Sequence, residues 1–124
     1  QGQPDSTMAL HWHGDRIRLP AQATLLASSL HCAEQVFRID RHAIGLQCHL
    51  EITGSSLERW ITADHAYVLN ALGNEGAEQL RNDWTVLGSS LQRHGKQLFT
   101  MALKQMESIT DEQRNRAGFN EEKN

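Results

Sequence analysis

The amino-acid sequence predicts an α/β fold, and three observations carry that prediction. Up to Glu51 the apolar residues tend to alternate with a period of two, as on strands; beyond it they recur every three or four residues, as on helices. At the join lies Gly45-Leu46-Gln47-Cys48-His49-Leu50-Glu51, which reads as a buried strand stopping at a histidine, with a carboxylate two residues on. In an extended backbone, residues i and i+2 face the same side, so Glu51 can accept the N–H of the His49 imidazole and fix one tautomer. A histidine oriented by a carboxylate is two thirds of a nucleophile–base–orienter triad. The same two residues also fit a strand-end histidine beside a solvated glutamate, and the pair alone does not separate these readings.

The elements follow in chain order. Residues 1–7 are polar and turn-rich and read as a lead-in. Residues 8–12 can pair as a short strand, with Ala9 and His11 on one face and Met8, Leu10 and Trp12 on the other. His13-Gly14-Asp15 reads as a tight turn in which glycine supplies a backbone conformation other residues avoid. Residues 16–19 alternate polar and apolar until Pro20, and residues 23–28 make another short strand. Residues 35–39 and 43–49 are β-prone segments around Asp40-Arg41-His42, a spacing that suits a hairpin.

Past Glu51, Ser55-Ser56-Leu57-Glu58 is a capping-box pattern with Ser55 as N-cap. Leu57, Trp60, Ile61, Val68 and Leu72 then share one side of a helix that Gly73-Asn74 can stop. A second helix is expected over residues 77–106, with Leu80, Trp84, Leu87, Leu91, Leu98 and Met101/Ala102 as its apolar stripe and His94 within it. Too few heptads occur for a coiled coil, which favours an amphipathic helix packed on a sheet. Trp12, Trp60 and Trp84 sit at core spacing. The expected organisation is one domain over 1–110 and a polar, disordered tail over 111–124.

Composition narrows the function classes. A chain of 124 residues has room for one hydrophobic core. Its formal net charge of -3, with 22% charged residues and a pI near 6.2, argues against nucleic acid or an anionic membrane as partner. No apolar run approaches the ~20 residues that span a bilayer, and no secretory signal pattern is present. Cys32 and Cys48 do not make a disulfide framework, and reduced thiols in the cytoplasm are expected. The chain starts at Gln1 rather than Met, as a processed protein or a piece of a longer one would.

Several motifs together resemble a known family. They are His11-Trp12-His13-Gly14-Asp15, then Leu19-Pro20, Ala23, Leu26-Ala27-Ser28-Ser29, Gln35, Phe37-Arg38 and the Gly45–Glu51 run. In this order and spacing they resemble the C-terminal half of class I glutamine amidotransferase domains, closest to the stand-alone group similar to the amidotransferase domain of GMP synthase. That family carries His-Trp-His-Gly-Asp, a Gln-x-Phe-Arg strand and Gly-Leu-Gln-Phe-His-Pro-Glu. Leu57-Glu58-Arg59-Trp60-Ile61 and Gly95-Lys96-Gln97-Leu98-Phe99 also have counterparts. The likeness covers about residues 9–103.

The resemblance implies a flavodoxin-like fold of which this chain supplies the C-terminal portion, short strands and hairpins followed by two helices. It also implies glutamine as substrate. In the family a cysteine thiolate attacks the glutamine side-chain amide, a histidine serves as base and acid, and a glutamate orients it; His49 and Glu51 match those two residues. Leu50 replaces the motif's proline, Cys48 its phenylalanine, and Gly54 stands where a proline often begins the next helix.

The family's nucleophile sits on a Gly-x-Cys-x-Gly elbow in the N-terminal half, and this sequence has no such motif. Cys48 should face away from the imidazole of its neighbour, and Cys32 lacks the glycines that an elbow requires. The chain alone is therefore expected to be inactive. Its expected partners are the missing N-terminal half or a synthetase that uses the ammonia, or a second copy of itself through an exposed edge of a parallel half-sheet. The alternative is a truncated, non-catalytic binding or regulatory module.

Other candidates are weaker. His13 and Asp15 could help shape a glutamine pocket, although a structural turn is favoured. His11-x-His13 could bind zinc with His31, Cys32 or Asp15, but the resemblance already accounts for both histidines, and no metal or cofactor is expected. Arg38 and Arg41 read as solvated or surface-paired. His42, His65 and His94 read as structural, and Gln47 as a residue sharing the face of His49.

Overall fold

The computed structural model describes residues 7–41 and 43–121. Most of the expected lead-in, and His42, lie outside the described residues. The elements in order are β1 (Ala23–Ala27), β2 (Val36–Ile39), β3 (Ala43–Leu46), α1 (Gly54–Ala63), α2 (His65–Leu72) and α3 (Gly76–Glu121). The chain divides into two compact units. One joins the residues up to Leu10 with His49–Lys96; the other joins His11–Cys48 with the residues from Gln97 onward.

The second unit holds a three-stranded sheet in the order β1-β2-β3, with both pairs antiparallel. Among the described residues no strand pair is parallel, so the half-sheet expected from the family likeness is replaced here by a meander. The expected hairpin forms with Ile39 opposite Ala43, and Asp40 takes the left-handed conformation at φ 47°. Aspartate tolerates that region because its short polar side chain can bond locally. Gly45 lies opposite Phe37, and a Cβ there would stand 2.6 and 2.7 Å from two ring carbons. The ring therefore occupies the space that glycine leaves.

Between β1 and β2 the connection is tied by Gln35, which is 3% exposed. Its Nε2 donates to Ser29 Oγ at 3.0 Å and to the Cys32 carbonyl at 3.4 Å. Ser29 donates to the same carbonyl from both its amide and its hydroxyl, each at 3.0 Å. The N–H groups of this buried side chain are bonded, whereas its Oε1 meets no donor among the described residues.

The first unit is mainly helical. Ile52, Leu57, Ile61, Val68 and Leu91 form its apolar centre, each 6% exposed or less. Burying side chains of this size contributes roughly 1.5–3 kcal/mol each. The residues expected to share one helix are split between α1 and α2, because Asp64 leaves helical geometry (ψ 36°). Leu57, Ile61 and Val68 are buried as expected, while Leu72 is 54% exposed. Gly73, at φ 78°, ends α2 where the sequence placed the stop.

Helix α3 carries most of the expected stripe: Leu91 is buried, and Leu80, Trp84, Leu87, His94, Leu98 and Ala102 are half-buried, whereas Met101 is 63% exposed. It continues beyond Met106, through Glu121, into the segment expected as a tail. Arg81 holds it to α1 through a bidentate pair with Glu58, at 2.9 and 2.7 Å.

Three sequence-based expectations need correction. Residues 8–12 form no strand; only Leu10 pairs, in an isolated antiparallel bridge with His49. Residues 16–19 carry no strand, since the sheet begins at Ala23. The N-cap of α1 is Thr53, not Ser55: Thr53 Oγ1 accepts from the Ser56 amide at 3.2 Å. Thr53 has the extended backbone an N-cap needs (φ −116°, ψ 163°), whereas Ser55 already lies inside the helix. Thr53→Ala is therefore expected to destabilise the chain by about 1 kcal/mol and Ser55→Ala by only a few tenths, read as midpoints of urea unfolding. Equal losses would contradict this assignment.

Candidate functional site

The segment at residues 48–52 places the candidate site. Strand β3 ends at Leu46, earlier than the sequence suggested, and Gln47 and Cys48 bend away from it. The chain beyond still alternates: Cys48, Leu50 and Ile52 are buried, whereas His49 is half-buried and Glu51 is exposed. His49 and Glu51 thus share the outward side without belonging to a strand.

Several contacts hold this segment. The His49 backbone exchanges two hydrogen bonds with Leu10, its amide donating at 2.8 Å and its carbonyl accepting at 3.2 Å. The Leu50 carbonyl lies against Gly95 of α3 so closely that a Cβ on Gly95 would collide with the oxygen, and would stand only 3.0 Å from its carbon. A glycine inside a helix is about 1 kcal/mol less favourable than alanine. Here it admits the backbone that carries the site.

His49 Nδ1 lies 2.7 Å from Glu51 Oε1. A carboxylate can only accept, so Nδ1 carries the proton and Nε2 is left as the basic nitrogen. The second oxygen, Oε2, accepts from the Leu50 amide at 3.0 Å. Burial pushes the Glu51 carboxyl up, but the bonds from the His49 ring and from the Glu51 and Leu50 amides outweigh it, and the group stays below its usual range. Leu50, where the resembled motif has proline, thus supplies an N–H that proline could not. The His49 side chain is 29% exposed, so part of the ring meets solvent. Trp60 of α1 stands against the imidazole, ring centroids 4.9 Å apart and planes at 80°. Such an arrangement can take a proton at a defined atom and hold the resulting cation beside a carboxylate.

The other candidates form a different cluster, within the second unit. His13 Nδ1 lies 2.9 Å from the Asp15 carbonyl oxygen and 3.1 Å from Gln47 Nε2, so it donates to the first in one tautomer and accepts from the second in the other. Gln47 Nε2 donates to the same carbonyl at 2.5 Å. Its Oε1 accepts from the Ile17 amide at 3.4 Å and from the Cys32 thiol at 3.8 Å. Gln47 thus ties down the loop at residues 13–17. Gly14 has no left-handed conformation, and side-chain bonding shapes the turn instead. The Asp15 group in these bonds is its backbone carbonyl, not its carboxylate.

Both cysteines are buried, Cys32 at 9% and Cys48 at 6% exposure, and the Cys48 thiol lies 4.0 Å from the Gln35 carbonyl oxygen. Among the described residues no group of three or more His, Cys, Asp or Glu is placed to hold a metal ion. No helix among them is long and apolar enough to cross a membrane. Arg38, read as a surface residue, is half-buried; its Nε is inaccessible and meets no acceptor among the described residues. Sequence reasoning put Trp60 in the core and gave Gly95 no role. A glycine inside an apolar helical stripe was the available signal for a close approach.

Comparison with known proteins finds similarity to a curated protein and to a solved structure. The chain is 36% identical over 63 residues to the glutamine amidotransferase-like protein YfeJ of Salmonella typhimurium, a match covering 51% of this chain and 26% of that protein. It superposes on the crystal structure of a glutamine amidotransferase from Methylobacillus flagellatus with a TM-score of 0.68 and 23% identity, covering 78% of this chain and 42% of the other. The chain thus has a glutamine amidotransferase fold over most of its length, and spans about a quarter of the curated relative and under half of the solved one. No protein-family model matches it.

Two outcomes follow from the geometry. Because the folded Glu51 carboxyl lies below its ordinary value of 4.5, its bonds stabilise the fold fully above that pH and are lost as pH falls through the lowered value. The difference in unfolding midpoint between wild type and Glu51→Gln is therefore expected to shrink below pH 4.5; a constant difference would contradict it. Gly95→Ala should destabilise, because the collision with backbone costs roughly 1–3 kcal/mol against about 1 kcal/mol gained in helix propensity. A more stable Gly95→Ala chain would show that the close approach is absent.

Proposed function

We propose that this chain supplies the histidine and glutamate of a class I glutamine amidotransferase site, of the GMP synthase-like group, whose cysteine comes from another polypeptide segment. The observation that carries this reading is the 2.7 Å bond from His49 Nδ1 to Glu51 Oε1, on a partly exposed imidazole whose Nε2 is the basic nitrogen. The similarity to YfeJ and to the Methylobacillus structure supports the family.

In this reading His49 Nε2 takes the proton of the cysteine thiol, and the sulfur attacks the side-chain carbon of glutamine. The tetrahedral adduct collapses as the C–N bond breaks, with the proton passing from Nε2 to the departing ammonia. A water then gives its proton to Nε2 and attacks the thioester carbon, releasing glutamate and returning the proton to sulfur. Glu51 keeps the ring oriented and stands beside the imidazolium that forms twice in the cycle. The ammonia passes to a synthetase, in a cytoplasm that keeps the thiol reduced. His13 and Asp15 shape their own loop rather than react.

The cysteine-bearing segment, in this proposal, covers the sheet. Leu25 and Leu26 lie on β1 where its register against β2 shifts, and they are 43% and 51% exposed. An edge strand with bare apolar residues seeks a partner. Without that partner the chain alone is expected to pair with itself. A second reading, a non-catalytic module of the same fold, is favoured by the two buried, engaged thiols.

The test mixes this chain with the Gly-x-Cys-x-Gly portion of an amidotransferase and measures ammonia release from glutamine. Activity is expected only in the mixture, and His49→Ala should reduce it by on the order of 10⁴-fold without changing the fold. Undiminished release from the His49→Ala mixture would contradict the assignment; a well-formed but inactive mixture would favour the non-catalytic module.

A further inference from the structure

We propose that Trp60 is a positioning residue for His49, fixing the imidazole so that Nε2 points in one direction. The inference rests on the reading of His49 as a general base and deepens it. Glu51 alone cannot fix the ring. One hydrogen bond at Nδ1 leaves the imidazole able to swing about the Nδ1–Oε1 line, and the Glu51 side chain is itself 54% exposed. The indole blocks that swing. Its ring stands nearly perpendicular to the imidazole, at 80°, with centroids 4.9 Å apart, a favoured aromatic geometry contributing about 0.5–1.5 kcal/mol.

The tryptophan can do this because its own place is fixed. It sits on α1 between Leu57 and Ile61, which are 4% and 2% exposed. The helix start is capped by Thr53, and the helix is held to α3 by the Glu58–Arg81 pair. His49 is fixed at its backbone by the Leu10 bridge. Hydrogen bond and aromatic wall restrain different rotations of the ring: Glu51 sets the tautomer, and Trp60 sets the plane. A purely apolar side chain of similar bulk would fill the space without an aromatic ring's preference for a perpendicular neighbour.

The test compares wild type, Trp60→Phe and Trp60→Leu in the full chain by NMR of the His49 ring protons. Wild type should show cross-relaxation between indole and imidazole protons, and a His49 signal displaced by the indole ring current. Trp60→Phe should keep a displaced, single-conformer signal. Trp60→Leu should lose the displacement and average between ring orientations. In the cysteine-complemented mixture, Trp60→Leu should lower kcat by about tenfold to a hundredfold with KM for glutamine unchanged, and Trp60→Phe should recover most of it.

A wild-type spectrum without indole–imidazole cross-relaxation would overturn the proposal, even if the leucine variant failed to fold. So would a folded Trp60→Leu chain whose His49 ring stayed in one orientation. Should His49→Ala leave ammonia release intact, the general-base reading fails, while the NMR comparison still decides whether Trp60 orients the ring.

Discussion

One carboxylate gives the candidate site its definition. Glu51 accepts from the His49 ring through one oxygen and from the Leu50 amide through the other, so it is held at both ends while remaining half in water. That double bonding outweighs the effect of burial and keeps the group ionised. An ionised acceptor in turn dictates which imidazole nitrogen carries the proton. The hydrogen bond is charge-assisted and short, but exposure to solvent limits its contribution to stability. Its consequence is chemical: a basic nitrogen of known identity on an accessible ring.

The surrounding fold delivers the segment that carries this carboxylate. Leu50 and Ile52 are anchored inside, which turns His49 and Glu51 outward. Gly95 lets α3 approach the Leu50 backbone, and Leu10 exchanges both amide hydrogen bonds with His49. Leucine, where the resembled motif has proline, supplies both a buried side chain and an amide donor at this position. A departure that looks neutral by residue type strengthens the hold on Glu51.

Much of this was legible in the sequence, and the failures have physical causes. The hairpin was readable because Ile39 and Ala43 flank a polar turn. The outward pairing of His49 with Glu51 was readable because alternation survives in extended chain even outside a strand. The cap was misplaced because Thr53 and Ser55 are both good N-caps; backbone geometry, not residue preference, decides between them. The break at Asp64 left no mark in a continuous apolar stripe. Trp60 and Gly95 were missed because each acts on a segment distant in sequence, and periodicity records only which face is buried. The bond of the Gln47 side chain to the Asp15 carbonyl was not readable, because alternation along a strand does not record contacts with a loop distant in sequence.

The central claim is that Glu51 fixes His49 with its proton on Nδ1. The most direct measurement is the ¹⁵N shift of both His49 ring nitrogens in histidine-labelled chain, above the pH at which the ring is protonated. The account requires Nδ1 to show the signature of a protonated nitrogen and Nε2 that of a bare one, with Glu51→Gln relaxing this preference. A proton resident on Nε2, or equal occupancy of both nitrogens in wild type, would contradict it.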